Sequence, residues 1–441
     1  MKYKRSELQL LLSNKEREVM NKKINYLLGL VSGAALMVIV WAVFLSDVGG
    51  GGNTLRHGNL LSTQSAGFTA DDGAATALDF NDVTEKLYHI YRIIDSQFIG
   101  EFDLDLAIEM MFAGFVDAAG DPYTLYMDAA AFTMFQENTE GSFVGIGVSI
   151  VMDEASNRIM VISPFEGSPA HEAGILSGDK IIRINGQEVF GDGMREAINM
   201  MRGEVGTEVV VTVLRDSDNS IHDFPIIRDT IQIETVRGHV IEDEGARIGY
   251  IRISQFDRVT FEQFTRVYDR MLQEGIDGLI LDVRNNPGGL LSVVNQITNL
   301  LVPEGIITYT ENVRGERNYV RADARHIEVP LIVLVNGNSA SASEVLSGAV
   351  RDSGIGEIVG TTTFGKGLVQ NVFDMPDGSA VKVTIARFFT PAGICINGEG
   401  IVPNYYVEMD SELTNRLSRL AQEDDVQLLE AIRIMHNRIA Q

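Results

Sequence analysis

The spacing of apolar residues changes along the chain, and each spacing predicts a different kind of structure. Over residues 80–116 apolar side chains recur every three or four positions, which predicts helices. From Gly238 onwards short apolar runs alternate with amphipathic stretches, which is typical of an α/β core with a buried, mostly parallel sheet. The pattern in that part predicts strands at 248–253, 279–283 and 331–335 and helices at 261–272 and 343–350. Residues 411–440 predict a helix pair or one long helix.

An uncharged apolar run over residues 24–45 precedes all of these elements. A helix needs about 20 apolar residues to cross a bilayer, so the run predicts a membrane anchor. Lysines and arginines lie before the run and not closely after it, which predicts that residues 1–23 are cytoplasmic and that the rest of the chain is outside. A cleaved signal peptide and a buried core helix are the alternatives. Residues 46–79, rich in small and polar residues, predict a flexible linker.

Composition excludes some classes of protein. The chain has 441 residues, enough for about three domains. Its net charge of −25 argues against nucleic-acid binding, which needs a basic face. The single cysteine, Cys395, excludes an internal disulfide and a cysteine-based zinc cluster. The seven histidines do not form a pattern such as His-Glu-x-x-His. We therefore expect neither a metal nor another cofactor.

Two short motifs carry the candidate chemistry. Residues 338–344 read Asn-Ser-Ala-Ser-Ala-Ser-Glu and follow an apolar, strand-like run, and residues 364–370 read Phe-Gly-Lys-Gly-Leu-Val-Gln. A serine hydroxyl needs a base to become a nucleophile, and a lysine whose pKa is lowered by burial can be that base. The two motifs together predict a hydrolase of the serine–lysine type. A Ser-His-Asp triad that uses His239 or His326 is the alternative.

These motifs resemble those of the C-terminal processing peptidases, also called tail-specific proteases. The resemblance implies that Ser341 is the nucleophile, Lys366 the general base and Gln370 the hydrogen-bond partner of that lysine. It also implies that one oxyanion donor is the N–H of Ala342. The second donor comes from Arg-Asn-Asn-Pro-Gly-Gly at 284–289, where Gly288 and Gly289 are both candidates. The family has a basic residue where this chain has Ile394, so any contact made by that residue elsewhere is in doubt.

The lysine has to be neutral to act as a base, and its ordinary pKa is about 10.4. We expect Phe364 and Val369 to supply apolar cover that lowers this pKa, and Gln370 to hold the amine without adding charge. Ser339 and Ser343 are expected to be structural. Glu344 is expected to cap or brace the helix that follows it.

Residues 143–229 resemble a PDZ domain. The resemblance implies that a loop captures the carboxylate of a peptide through backbone N–H groups and that the peptide adds to a sheet edge as a strand. A purely structural PDZ-like insert is the alternative. The predicted peptide-binding residues are Phe143, Val144, Gly145, Ile146, Gly147, Val148 and, on the groove helix, Ile198.

The predicted organisation is a multidomain α/β (α+β) protein. Its parts are a cytoplasmic segment (1–23), an anchor (24–45), a linker (46–79), a helical region (80–140), a PDZ domain (141–229), a protease core (230–410) and a helical tail (411–441). The resemblance implies a serine endopeptidase that recognises its substrates through an apolar C-terminus and is regulated by its PDZ domain. The apolar run 24–45 adds the expectation that this protease is anchored in a bacterial cell membrane and cleaves extracytoplasmic proteins. Helices outside the core are expected to support a homodimer. The alternative function is a PDZ scaffold on an inactive protease fold.

Overall fold

The computed structural model describes residues 80–324, 326–414, 416–417 and 420–440. The chain forms two compact units, one that ends at Ile108 and one that begins at Glu109. Helix α1 (Phe80–Gln97) and the start of α2 (Leu104–Asp117) belong to the first unit. Neither helix contains a buried residue, although both carry many apolar side chains.

The predicted anchor and linker, residues 24–79, lie outside the described residues. Among the helices that the structure does describe, none combines the length and the apolar character that crossing a bilayer requires.

A strand interrupts the region 80–140 that we predicted to be helical. Strand β1 (Leu125–Met127) follows α2 and pairs with a strand near residue 380, and helix α3 (Ala129–Glu140) comes next. Asp128 caps α3 by accepting a hydrogen bond from the Ala131 N–H, and Gly141 ends the helix in the left-handed conformation. Three apolar residues are too few to distinguish a strand from a helix by their spacing, so this strand was not predicted.

The segment predicted to be a PDZ domain is a sheet with a separate core of its own. The sheet order is β3-β4-β5-β7-β8, β6 pairs with β5, and β2 and β9 form a two-stranded sheet beside it. Alternate residues such as Ile159, Val161, Val211 and Val213 fill the core. The elements are β2 (Ser142–Gly145), β3 (Val148–Asp153), β4 (Arg158–Pro164), α4 (Pro169–Ala173), β5 (Lys180–Ile184), β6 (Gln187–Glu188), α5 (Met194–Met201), β7 (Glu208–Arg215), β8 (Ser220–Ile227) and β9 (Asp229–Gln232).

The predicted α/β core is built on a six-stranded sheet in the order β10-β11-β12-β15-β16-β19. All neighbours after the β10–β11 pair are parallel. The elements are β10 (Val236–Asp243), β11 (Ala246–Ile253), α6 (Thr260–Glu274), β12 (Gly278–Asp282), α7 (Leu291–Leu301), β15 (Leu331–Val335), α8 (Ala342–Ser353), β16 (Gly356–Gly360), β19 (Tyr405–Tyr406), α9 (Ser411–Thr414) and α10 (Val426–Ile439).

Helices cover both faces of this sheet. Leu281 and Val333 face the cluster formed with α6, α7 and α8, whereas Ile280 and Ile332 face the cluster formed with α10. Because successive strand residues point to opposite faces, strands buried on both sides read as continuous apolar runs. The tail predicted as a helix pair or one long helix thus consists of a short helix and a longer one that packs on the core.

A second, smaller sheet carries the lysine motif. Its order is β1-β18-β13-β14, and β17 pairs with β18. The strands are β13 (Gly305–Asn312), β14 (Arg317–Ala322), β17 (Leu368–Asp374) and β18 (Ala380–Phe389). Strand β17 begins two residues after Lys366, so the position of this sheet determines where the lysine lies.

Candidate active site

Ser341 occupies the residue before α8, at the end of the loop that follows β15. Its backbone has φ 53° and ψ −113°, a conformation that a residue with a Cβ rarely adopts. Such strain costs about 1–3 kcal/mol and persists only where the surroundings impose it, often at a functional site. Ser341 remains half-buried while the helix behind it is buried.

The two neighbouring serines have their hydroxyls engaged in the fold. Ser339 Oγ donates to the Val283 carbonyl at 2.8 Å and accepts from the Asn336 N–H at 2.9 Å. Ser343 Oγ donates to the Asn286 carbonyl at 2.9 Å. Both residues are fully buried. These two serines fasten the loop to the carboxyl end of β12, as expected of structural residues.

The Glu344 carboxylate joins the two motifs. Oε2 accepts from the backbone N–H groups of Ser341 and Lys366, both at 2.8 Å. Oε1 accepts from Thr363 Oγ1 at 2.5 Å and from the Gly365 N–H at 2.7 Å. Burial raises the pKa of Glu344, and these four donors oppose that rise. Sequence reasoning found only a helix brace here, because the partners in the lysine loop are far along the chain.

Lys366 is half-buried beside this bridge. Burial, with a contribution from the charge of Lys382, lowers the pKa of Lys366 to about 8. Of the two residues predicted to cover the lysine, Phe364 is 55% exposed. Val369 is partly buried against the core cluster. The ring that faces the lysine belongs to Tyr123, whose centroid lies 4.5 Å from Nζ.

Gln370 makes a different contact from the one the resemblance implied. Its Nε2 donates to Thr384 Oγ1 at 3.3 Å, across the β17–β18 pair. Within the described part of the chain, hydrogen bonds join Lys366 Nζ neither to Gln370 nor to Ser341 Oγ. The structure therefore brings the backbones of Ser341 and Lys366 together through Glu344, while the amine rests against Tyr123.

The predicted oxyanion donors are the backbone N–H groups of Ala342, Gly288 and Gly289. A Cβ on Gly288 would lie 2.8 Å from the Cβ of Ser341 and 3.0 Å from the Ala342 nitrogen, so this glycine touches the nucleophile. Its own N–H donates to Asn286 Oδ1 at 2.9 Å. The N–H groups of Gly289 and Ala342 have no acceptor among the residues that the structure describes. Of the two glycines, Gly289 therefore has the N–H group that is not engaged by an acceptor within the described residues.

A buried ion cluster supports this glycine turn. The Arg284 guanidinium forms paired hydrogen bonds with Asp282 at 2.7 and 3.0 Å, and with Asp425 at 2.8 Å to each oxygen. Burial would raise the pKa of Asp282, but Arg284 holds it below its ordinary value. Asn285 donates to the Thr414 carbonyl at 2.8 Å. The segment after residue 410 therefore holds the turn at two points, which the local sequence pattern did not reveal.

The predicted peptide loop lies between β2 and β3. The Ile146 and Gly147 carbonyls accept hydrogen bonds from the segment around Ser168, whereas the N–H groups of these two residues lack an acceptor in the described ranges. Strand β3 pairs only with β4 within the described sheet, so one edge of β3 is open. Val148 and Ile198 are partly buried beside the core of this domain.

Three of the predicted loop residues lie on a strand. Phe143, Val144 and Gly145 are on β2, which pairs with β9. The Phe143 ring faces the Arg202 guanidinium, 5.4 Å from its centroid, and Arg202 forms an ion pair with Glu137 at 2.5 Å. Gly145 is buried at the start of the loop.

The histidine alternative finds no support in the geometry. His239 lies on β10 against the ring of Tyr250, and burial lowers its pKa. His326 is exposed and lies 3.4 Å from the Ala324 carbonyl. Over the described ranges, histidine, cysteine and acidic side chains do not gather in groups of three that could hold a metal ion.

Comparison with known proteins places these motifs in a family. The model of peptidase family S41 matches residues 247–407, and a PDZ domain model matches residues 144–223. The carboxy-terminal processing protease CtpA of Bacillus subtilis (strain 168) is 36% identical over 327 residues, which are 74% of this chain and 69% of that protein. The carboxy-terminal processing protease CtpB of the same strain is 33% identical over 362 residues, 81% of this chain and 75% of that protein.

A solved structure, a photosystem II D1 C-terminal processing protease, is 31% identical with a TM-score of 0.44, and the match covers 73% of this chain and 86% of that one. The relatives in Bacillus subtilis match over most of both sequences, including the protease core and the PDZ segment. The chain therefore belongs to the carboxy-terminal processing proteases of peptidase family S41, a family of serine peptidases.

Proposed function

We propose that the protein is an endopeptidase in which Ser341 is the nucleophile and Lys366 is the general base. The main support is that the Glu344 carboxylate accepts hydrogen bonds from the backbone N–H groups of both residues. A lysine pKa of about 8 leaves about one-tenth of the amine neutral at pH 7, which supports a role as a base. Gln370, on β17, is the proposed orienting partner of the amine during the reaction.

The reaction proceeds through an acyl-enzyme. The neutral amine of Lys366 takes the proton of Ser341 Oγ as the oxygen attacks the substrate carbonyl. The N–H groups of Gly289 and Ala342 stabilise the negative charge that develops on the carbonyl oxygen, an effect worth about 10²–10³ in rate for each donor. The ammonium then gives its proton to the leaving amine. Water hydrolyses the ester in the second half, with Lys366 again as the base.

Variants at the two residues test this assignment. Ser341→Ala and Lys366→Ala should each abolish cleavage of casein, because nucleophile and base act as a unit. Ser292→Ala is the control, since Ser292 is an exposed serine on α7, and it should retain cleavage. Circular dichroism checks that each variant is folded. Turnover by Lys366→Ala near that of the parent would contradict the assignment, and cleavage by none of the proteins would favour the inactive scaffold.

We propose that the PDZ domain selects substrates with an apolar C-terminus. Within the described residues, the support is the unpaired edge of β3, the N–H groups of Ile146 and Gly147, which have no acceptor there, and the apolar side chains of Val148 and Ile198. One peptide with a free carboxylate, a C-terminal amide or a charged last residue should bind with decreasing affinity, the amide weaker by about 1–3 kcal/mol. Equal affinities for the three peptides would show that the domain does not recognise the C-terminus and is only a structural insert.

We also propose that the run 24–45 anchors the protease in a bacterial cell membrane, with residues 1–23 in the cytoplasm. The support is the length of the run and the basic residues before it. Protease added to intact cells should digest the part after Asp47. If that part survives until the cells are opened, the proposed topology is wrong.

We propose that helices α1 and α2 mediate a homodimer. The support is their exposed apolar side chains, such as Ile93, Phe112 and Phe115, because monomers rarely expose large apolar areas without an interaction role. Light scattering in detergent should give twice the protomer mass for the parent protein. For Ile93→Asp it should give the mass of one protomer. A monomeric parent protein at micromolar concentration would contradict this proposal.

A further inference from the structure

The amine of Lys366 rests on the ring of Tyr123. The centroid of the ring lies 4.5 Å from Nζ, within the range of a cation–π contact, and both residues are half-buried. Burial, together with the charges of Asp121 and Glu344, raises the pKa of Tyr123, so its ring is neutral at ordinary pH. The negative face of a neutral aromatic ring attracts the ammonium ion and not the free amine.

The other charges near the Lys366 amine shift its pKa in both directions. Burial and the Lys382 ammonium on β18 favour the neutral form of Lys366, whereas the Asp121 and Glu344 carboxylates favour the charged form. The Tyr123 ring attracts the ammonium ion, so it also favours the charged form of Lys366. Tyr123 is therefore one of three neighbours that oppose the neutral state in which a lysine can act as a base.

Hydrogen bonds fix Tyr123 in this position. Asp121 accepts from the Tyr123 N–H at 3.3 Å and from Thr124 Oγ1 at 2.6 Å. Thr124 Oγ1 in turn accepts from the Thr384 N–H on β18 at 3.0 Å, and Gln370 donates to the hydroxyl of the same Thr384. The turn at residues 121–124 is thus fastened to the strand beside the lysine motif, and its tyrosine is held over the amine.

We infer that Tyr123 is a positioning residue for the catalytic base: its ring holds Lys366 as the ammonium ion, and the amine must leave this ring before it serves Ser341. The inference rests on the proposed role of Lys366. Its consequence is that the turn at residues 121–124 helps to set the pH at which the protease gains activity. The sequence alone marked these residues only as a turn between two regions.

The test is the pH dependence of kcat/KM for the full chain in detergent, between pH 6 and 10, with casein as substrate. Tyr123→Leu keeps an apolar cover and removes the ring face, so the midpoint of the rise should fall by about 0.4–1.5 pH units. Tyr123→Phe, the matched control, keeps the ring and should keep the midpoint. A uniform loss of activity in Tyr123→Leu at every pH, without a shifted midpoint, would show a merely structural role and overturn the inference.

A second series avoids the risk that the leucine variant does not fold. Phenylalanines with one to three ring fluorines, introduced at position 123, keep the shape of the ring while weakening its negative face. The midpoint should fall stepwise with each fluorine, and a constant midpoint would overturn the inference. Lys366→Ala separates the two hypotheses. If that variant stays active, the proposed base is wrong, whereas an inactive Lys366→Ala with constant midpoints refutes only the role of Tyr123.

Discussion

Replacing Glu344 by glutamine should disrupt the site, because one buried carboxylate holds both motifs. The side-chain amide of the glutamine has one oxygen and one NH₂ group. Its NH₂ group is a donor, whereas Glu344 Oε2 accepts hydrogen bonds from two backbone N–H groups. If that donor faces Ser341 and Lys366, two hydrogen bonds to a charged group are lost. Each such bond is worth about 1.5–3 kcal/mol, so the free energy of unfolding should fall by up to about 3–6 kcal/mol.

The effect on catalysis follows from the loss of alignment. A displacement of reacting groups by about 1 Å can cost about 10²-fold in rate, and we expect a fall in kcat/KM of at least that size for Glu344→Gln. Urea denaturation gives the stability and casein cleavage gives the rate. Glu262→Gln is the matched control, because Glu262 forms an exposed i,i+4 pair with Arg266 and should change stability by less than about 0.5 kcal/mol.

Two results would refute this reasoning. If Glu344→Gln is as active as the parent, the bridge does not align the site. If it loses activity but no more stability than Glu262→Gln, the four hydrogen bonds to the carboxylate contribute less than their number implies. In that case the role of Glu344 would be electrostatic, acting on the charge of Lys366.

Three further predictions use other parts of the site. Burial lowers the pKa of Lys366 to about 8 and the base must be neutral, so kcat/KM should rise about tenfold per pH unit below pH 8 and level off above it. A flat profile of kcat/KM from pH 6 to 9 would count against Lys366 as the base. Gly288→Ala should lower kcat/KM at least about 10²-fold, since the added Cβ meets the Ser341 Cβ at 2.8 Å. Gly178→Ala is the control and should stay active, because Gly178 also has a positive φ but has open space around it, and equal activities of the two variants would refute the close approach. Asp425→Ala should destabilise the fold by about 3–5 kcal/mol in urea denaturation, because it removes a partner of buried Arg284, and a loss below about 1 kcal/mol would refute the importance of that pair.

The sequence predicted the local elements of the protease core well. Strands at 279–283 and 331–335 and the helices that follow them appear as β12, β15 and their neighbours, since strands buried on both faces leave a continuous apolar run. The two motifs also predicted Ser341 and Lys366 as the reacting pair, and the backbone N–H groups of both residues donate to the same carboxylate. Local spacing and motif chemistry were sufficient for these features.

The remaining features depend on contacts between distant parts of the chain. The pairing of β1 with β18, the contact of Tyr123 with Lys366 and the bond of Arg284 to Asp425 join segments that are far apart in sequence. An apolar period reports which face of an element is buried, but it does not report what covers that face. For this reason the sequence predicted the turn that contains Tyr123 but not the contact of its ring with Lys366.

The pairing of Arg284 with Asp425 has a consequence for the order in which the protease matures. Arg284 is buried beneath the glycine turn, and half of its carboxylate partners are supplied by a residue that is synthesised 141 positions later. A buried guanidinium that lacks one partner is strongly unfavourable, so the turn gains its final shape only after α10 has docked. A nascent chain that still lacks this helix should therefore be proteolytically silent, which protects its neighbours during synthesis.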